Sequence, residues 1–216
     1  LGDGLDDSQR SSIEAIKNNA DRLTALVNDL LTISQIDAGE SPLNVEPIDL
    51  ARVIEIQLTN ARNRHFDKEM TVTVDVEDNL PRAVLDRDKM MQVVGNIVDN
   101  AFNYTVAGGK ISITLKRDPN DKQNILFAVE DTGLGIPADF REKVWDRFAK
   151  YEEHALIMNT SGTGLGLSIT RELVQMHGGM IWFDSTEGVG TTFYVSLPIE
   201  HRRGISTAIA RAISLN

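Results

Sequence analysis

Cysteine is absent from this chain, which excludes disulfides, thiol nucleophiles and cysteine-based metal sites at one stroke. Long hydrophobic runs are absent too. No stretch reaches the roughly 18 consecutive apolar residues that a membrane-spanning helix needs, and no signal-like N-terminus is visible. The expectation is a cytoplasmic chain without direct membrane contact, whether or not a full-length protein is tethered. Positive charge is in short supply, with 22 Lys and Arg against 32 Asp and Glu. The resulting net charge of -10 argues for solubility and against nucleic acid as a partner. At 216 residues, the chain can hold one ordinary domain plus an accessory segment.

Glycine is placed where it carries information. Asp131-Thr132-Gly133-Leu134-Gly135-Ile136-Pro137 and Gly162-Thr163-Gly164-Leu165-Gly166-Leu167 flank one long irregular stretch. Glycine lets the backbone approach an anion closely and point successive N–H groups at it. Residues 165–177 read as a helix, which sets the second cluster at a helix N-terminus, where free amides and the dipole favour negative charge. The pair reads as a phosphate-holding pocket with a mobile cover over residues 149–161.

Upstream, residues 88–103 carry Met90, Val93, Val94, Ile97, Val98 and Ala101 at helical spacing, with Asp88 as the expected N-cap. Asn96, Asn100 and Asn103 then share one face. A merely solvated face would use Lys, Glu and Arg, which are better helix formers. Neutral amide oxygens suit a magnesium ion already bound by phosphates.

The order Asn96-x3-Asn100, Asp131-x-Gly133-x-Gly135, Phe148 and Gly162-x-Gly164-x-Gly166 resembles the N, G1, F and G2 boxes of sensor histidine kinases. The resemblance covers about residues 10–200, and four motifs in order make coincidence improbable. It implies a two-layer α/β sandwich, the Bergerat ATP-binding fold, in which helices cover one face of a mixed sheet. That superfamily also includes gyrase-type topoisomerases, a heat-shock chaperone and mismatch-repair ATPases.

Periodicity fills in the rest. A helix over residues 11–37 has Ile13, Ile16, Ala20, Leu23, Val27 and Leu30 as a heptad seam, widened by Leu26, Leu31, Ile33 and Ile36. It resembles the second helix of the kinase dimerisation domain, which implies a homodimer through this helix. Residues 39–47 read as a linker, with Leu43 and Val45 in a short strand before Pro47. Asp49 caps a helix through Arg64 whose inner face is Leu50, Val53, Ile54, Leu58 and Ala61. Met70, Val72, Val74 and Val76 alternate as a half-buried strand. Further strands are read around Ile111, Ile113 and Leu115, at 125–130, at 180–185 and at 191–197. The expected organisation is a partial dimerisation domain over 1–40, a catalytic domain over 41–200 and a tail over 201–216. In that tail, Ile205, Ile209 and Ile213 are spaced as a short amphipathic helix.

The resemblance also implies roles. The cofactors would be ATP and Mg2+. Asp131 matches the carboxylate that accepts from the adenine amino group. Thr191 matches a position beside adenine, and Tyr104 an aromatic lining the base pocket. Asn100 matches the magnesium ligand, and Phe148 the start of the lid. Gly133, Gly135 and Ile136 belong to the first glycine box. Gly162, Thr163, Gly164, Leu165, Gly166 and Leu167 belong to the second. Asn96 stands where the hydrolysing branches resemble one another in carrying a glutamate base. An amide takes no proton at neutral pH, so transfer to a protein histidine is implied rather than hydrolysis.

Two positions depart from the family. Asn103 stands where many sensor kinases have lysine, and Lys150 where arginine is common, which predicts a weaker grip on triphosphate. A slow or phosphatase-biased kinase and a nucleotide-binding regulatory module are the alternatives. His65, His154, His177 and His201 all read as structural or surface residues. The phosphoacceptor is therefore expected upstream of Leu1, and the expected partner is a response-regulator receiver domain.

Overall fold

The computed structural model describes residues 6–151, 154 and 162–200. The tail from 201, the first five residues and most of the stretch read as the lid lie outside the described residues.

The first element is helix α1, Asp7–Asp37, opened by a capping box. The Asp6 carboxylate accepts from the Gln9 amide at 2.8 Å, and the Gln9 side chain accepts from the Asp6 amide at 3.0 Å. This moves the start four residues ahead of the expected 11. The apolar residues of α1 divide between two faces. Leu26, Ile33 and Ile36 pack against the core of the body, whereas the heptad seam of Ile13, Ile16, Leu23, Val27 and Leu30 is exposed.

The body follows as β1 (Val45–Ile48), α2 (Leu50–Arg64), β2 (Thr71–Val76), β3 (Ala83–Asp86) and α3 (Arg87–Tyr104). It continues with β4 (Lys110–Arg117), β5 (Asn124–Asp131), α4 (Gly166–Met176), β6 (Met180–Thr186) and β7 (Gly190–Pro198). Five strands form one mixed sheet in the order β2-β4-β5-β7-β6, parallel only between β2 and β4. A side sheet pairs β1 with β3 antiparallel. The fold is the expected two-layer arrangement, and no helix among the described residues is long and apolar enough to cross a membrane.

Helix α2 matches its reading closely: Asp49 caps it through the Ala51 and Arg52 amides, and its buried residues are the five expected. Three other expectations need correction. The N-cap of α3 is Asp86 rather than Asp88, because the Asp86 carboxylate takes both the Lys89 amide at 3.1 Å and the Asn44 amide at 2.8 Å. Strand β1 runs through Pro47 and leaves Leu43 outside, which an edge position in a two-stranded sheet permits. In β2, only Val72 is half-buried, while Val74 and Val76 are exposed on an edge strand.

Alternation aims the site. Ile125, Phe127 and Val129 of β5 point into the core beneath the helices, and Asp131 continues the same phase at the strand end. On β7, Thr191 continues the phase of Phe193, Val195 and Leu197, and it is the direct cross-strand partner of Asp131.

Candidate functional site

Asp131 is buried at the end of β5, where the chain leaves the sheet. Its Oδ1 accepts from the Gly133 amide at 2.8 Å. Burial pushes its carboxyl up to about 6, an effect only partly countered by the Gly133 and Thr191 amides. A carboxylate has acceptor capacity beyond these amides, and one that lines a cavity can take a further donor from a ligand. The loop beyond it lies against α3, where the Leu134 amide donates to the Tyr104 carbonyl at 3.1 Å. A side chain at Gly133 would come within 2.3 Å of that carbonyl, so the close approach requires glycine.

At the far end is the first turn of α4. Its N-cap, Leu165, contributes no side-chain hydrogen bond, so the amides of the turn are left for an anion. Thr163 Oγ1 accepts from the Leu165 amide at 3.1 Å. Gly164 has φ +76°, and a Cβ there would lie 2.8 Å from the Phe148 carbonyl carbon. The two flanks of the stretch read as a lid therefore meet at this glycine.

Between these ends lies a cavity of about 340 Å³ with α3 as one wall. Asn96, Asn100, Asn103 and Tyr104 line it from α3, and Asp131, Gly135, Ile136 and Thr191 from the sheet side. Gly162, Thr163, Gly164, Gly166, Leu167 and Lys150 line it from the second glycine cluster and the lid flank. The sequence-predicted set thus converges on one space, with three exceptions. Gly133 and Leu165 are buried behind the wall as its support. Phe148 is 61% exposed at a strained φ of 65°, and its side chain does not line the cavity.

Several lining residues escaped the sequence reading. Asp99 faces the cavity and is held by Arg64 at 2.5 and 2.7 Å. Phe140, Tyr151 and His154 form a lining aromatic chain, with centroids 5.7 and 4.8 Å apart. His154 is therefore buried in the cavity wall, while His177 is buried elsewhere and accepts from the Asp86 amide at 3.0 Å. His65 stacks on Phe102, and His201 lies outside the described residues. Asp29 and Ala25 of α1 also reach the cavity. A second hollow of about 520 Å³, between Asp118, Arg171 and Trp182, has neither the asparagine stripe nor the open helix end.

Comparison with known proteins agrees with this geometry. The family model described as histidine kinase-, DNA gyrase B-, and HSP90-like ATPase matches residues 85–201. The chain is 38% identical over 87% of its length to the sensor histidine kinase WalK of Bacillus subtilis, of which it covers 30%. It is 33% identical over 90% of its length to the circadian input-output histidine kinase CikA of Synechococcus elongatus, of which it covers 26%. The chain thus spans less than a third of these relatives. Among solved structures, full-length ShkA in complex with AMPPNP superposes with a TM-score of 0.75 at 26% identity, covering 93% of this chain and 41% of that one. The catalytic domain of histidine kinase ThkA gives 0.60 at 27% identity, covering 74% of this chain and 99% of that one. By its motifs, its fold and these likenesses, the chain belongs to the histidine kinase-, DNA gyrase B- and HSP90-like ATPase family.

Proposed function

We propose that this chain is the catalytic ATP-binding part of a two-component sensor histidine kinase. It binds Mg-ATP and passes the γ-phosphoryl group to a histidine on a helix preceding α1, for relay to a response-regulator aspartate. The observation that carries this reading is one cavity with a buried carboxylate, Asp131, at one end and a helix N-terminus without a side-chain cap at the other. Residues 1–40 are the second part of a dimerisation domain, 41–200 the catalytic domain and 201–216 a tail. The exposed seam of α1 is the homodimer contact, since its other apolar face already packs on the body. The location is cytoplasmic.

Asp131 accepts from the adenine amino group, with Thr191 beside it and Tyr104 and Ile136 lining the base. Gly133 and Gly135 shape that loop. The amides of Gly162, Thr163, Gly164, Gly166 and Leu167 hold the phosphates with Leu165 as their buried support, and Lys150 contributes a point charge. Phe148 and Gly164 form the hinge of the lid.

Among the described residues, no group of three or more His, Cys, Asp or Glu is disposed to hold a metal ion. That suits magnesium bound chiefly through phosphate oxygens and water, with Asn100 as the protein ligand. Magnesium, when bound, offsets charge on the transferred group. The attacking histidine nitrogen bonds to the γ-phosphorus as the β,γ-bridging bond breaks, and ADP departs with the bridging oxygen. Asn96 cannot take a proton from water, so ATP waits for the protein nucleophile.

A second reading, a slow or phosphatase-biased kinase, has a specific basis. Asp29, Asp99 and Asp131 line the cavity, with Lys150 as the one Lys or Arg among its described lining residues. Terminally labelled ATP mixed with a longer chain that includes the upstream helix tests both readings. Rapid acid-labile label on protein supports transfer, nucleotide binding with slow or little label supports the second reading, and rapid release of free phosphate without label contradicts both.

A further inference from the structure

Helix α1 fastens both flanks of the lid. Ahead of the lid, Arg147 meets Asp37 through two contacts, Nη1 to Oδ2 at 2.8 Å and Nη2 to Oδ1 at 2.7 Å. Behind it, the Thr163 hydroxyl donates to Asp29 Oδ2 at 2.9 Å. The Asp37 pair is exposed, so it is a solvent-screened tether. Asp29 differs. It is half-buried, and it lines the cavity together with Asn96, Thr163, Gly164 and Gly166.

This is the phosphate end of the site. The hydroxyl that donates to Asp29 also accepts the Leu165 amide, at the helix end left open for an anion. Asp29 thus brings a carboxylate to the place where the phosphate farthest from Asp131 must sit. Like charges held a few ångströms apart in a partly desolvated site repel strongly.

We propose that Asp29 is a specificity-determining residue of the nucleotide site, which sets the docked form of the chain against the terminal phosphate of ATP while admitting ADP. A bound triphosphate displaces α1 from the Asp29 contact, whereas a diphosphate leaves it in place. By linkage, docking of α1 weakens ATP by the same factor as ATP weakens docking. This rests on the nucleotide reading above.

Calorimetric titration of Mg-ATP and Mg-ADP into the wild-type chain, Asp29→Asn and Asp29→Ala tests it. Asp29→Asn keeps an acceptor for Thr163 and removes only the charge. ATP affinity should rise roughly fivefold in both variants, with ADP affinity changing less than twofold. Because the chain has no cysteine, spin labels placed through Leu31→Cys and Asp184→Cys can report the α1–body distance without altering Asp29. That distance should lengthen with ATP and hold with ADP. Equal shifts for the two nucleotides, a fall in ATP affinity, or a label distance that ignores the nucleotide would overturn the inference alone. Failure of the wild-type chain to bind either nucleotide would overturn the nucleotide reading, and the inference with it.

Discussion

Asn96 on α3 donates its side-chain amide to the Gly166 carbonyl at 3.0 Å and to the Thr170 hydroxyl at 3.2 Å. The asparagine stripe is thereby joined to the first turn of α4, which ties two walls of the cavity to each other. A residue read as catalytic from its place in the stripe is also a tie between α3 and α4.

Replacing Asn96 with Ala should cost about 1 kcal/mol of stability in urea unfolding. The loss is at the low end because the Thr170 hydroxyl, at 2.8 Å, still satisfies the Gly166 carbonyl. ATP affinity should fall further than stability suggests, since α4 loses its tie to α3. An affinity equal to wild type would show that the tie does not position the phosphates.

Asn100→Ala should abolish the magnesium dependence of ATP binding. Titration in magnesium and in chelator separates the two terms. Wild type is expected to bind ATP more tightly with the ion, and the variant equally weakly with and without it. A preserved magnesium effect would remove Asn100 from the ligand set.

Gly164→Ala forces a Cβ to within 2.8 Å of the Phe148 carbonyl carbon and 3.0 Å of the Ala149 carbonyl oxygen, at φ +76°. Both the left-handed backbone and the crowding act against it, so the midpoint of thermal unfolding should drop by the equivalent of about 1 kcal/mol or more. ATP affinity should drop as well, because the lid flanks are pushed apart. Unchanged affinity would mean that the hinge is not part of binding.

Asp131 ties stability to pH. Its carboxyl is raised from 3.8 to about 6 in the folded chain, so the native state holds a proton that the unfolded state has released. Its contribution is therefore fully present below about pH 4 and is lost as pH rises through about 6. Above that window, Asp131→Asn should stabilise the nucleotide-free chain by on the order of 1–3 kcal/mol in denaturant titrations. At pH 4, the gain should vanish. A gain of equal size at both pH values would contradict the account of the burial.

Local rules made much of this chain legible. Helix α2 could be read from a capping aspartate and an apolar period because nothing distant competes with either. The start of α3 could not, since Asp86 and Asp88 are equally good caps locally, and Asp86 wins through Asn44, which is 42 residues away. The edge position of β2 likewise depends on which strand flanks it, so its alternation overstated its burial. The glycine boxes and the asparagine stripe marked half of the cavity's lining residues. Asp29, Phe140 and His154 carry no local signal, because they reach the cavity only through the docking of α1 and the folding of the lid flank.

Titration of ATP and GTP into the wild-type chain and Asp131→Asn tests the central claim most directly. A buried carboxylate that accepts from an exocyclic amino group should favour ATP strongly over GTP, whose corresponding atom is a carbonyl oxygen that the carboxylate repels. The account predicts ATP binding by the wild-type chain, at least about tenfold weaker GTP binding, and loss of that preference in Asp131→Asn. Equal affinity of the wild-type chain for the two nucleotides, or an undiminished preference in the variant, would contradict it.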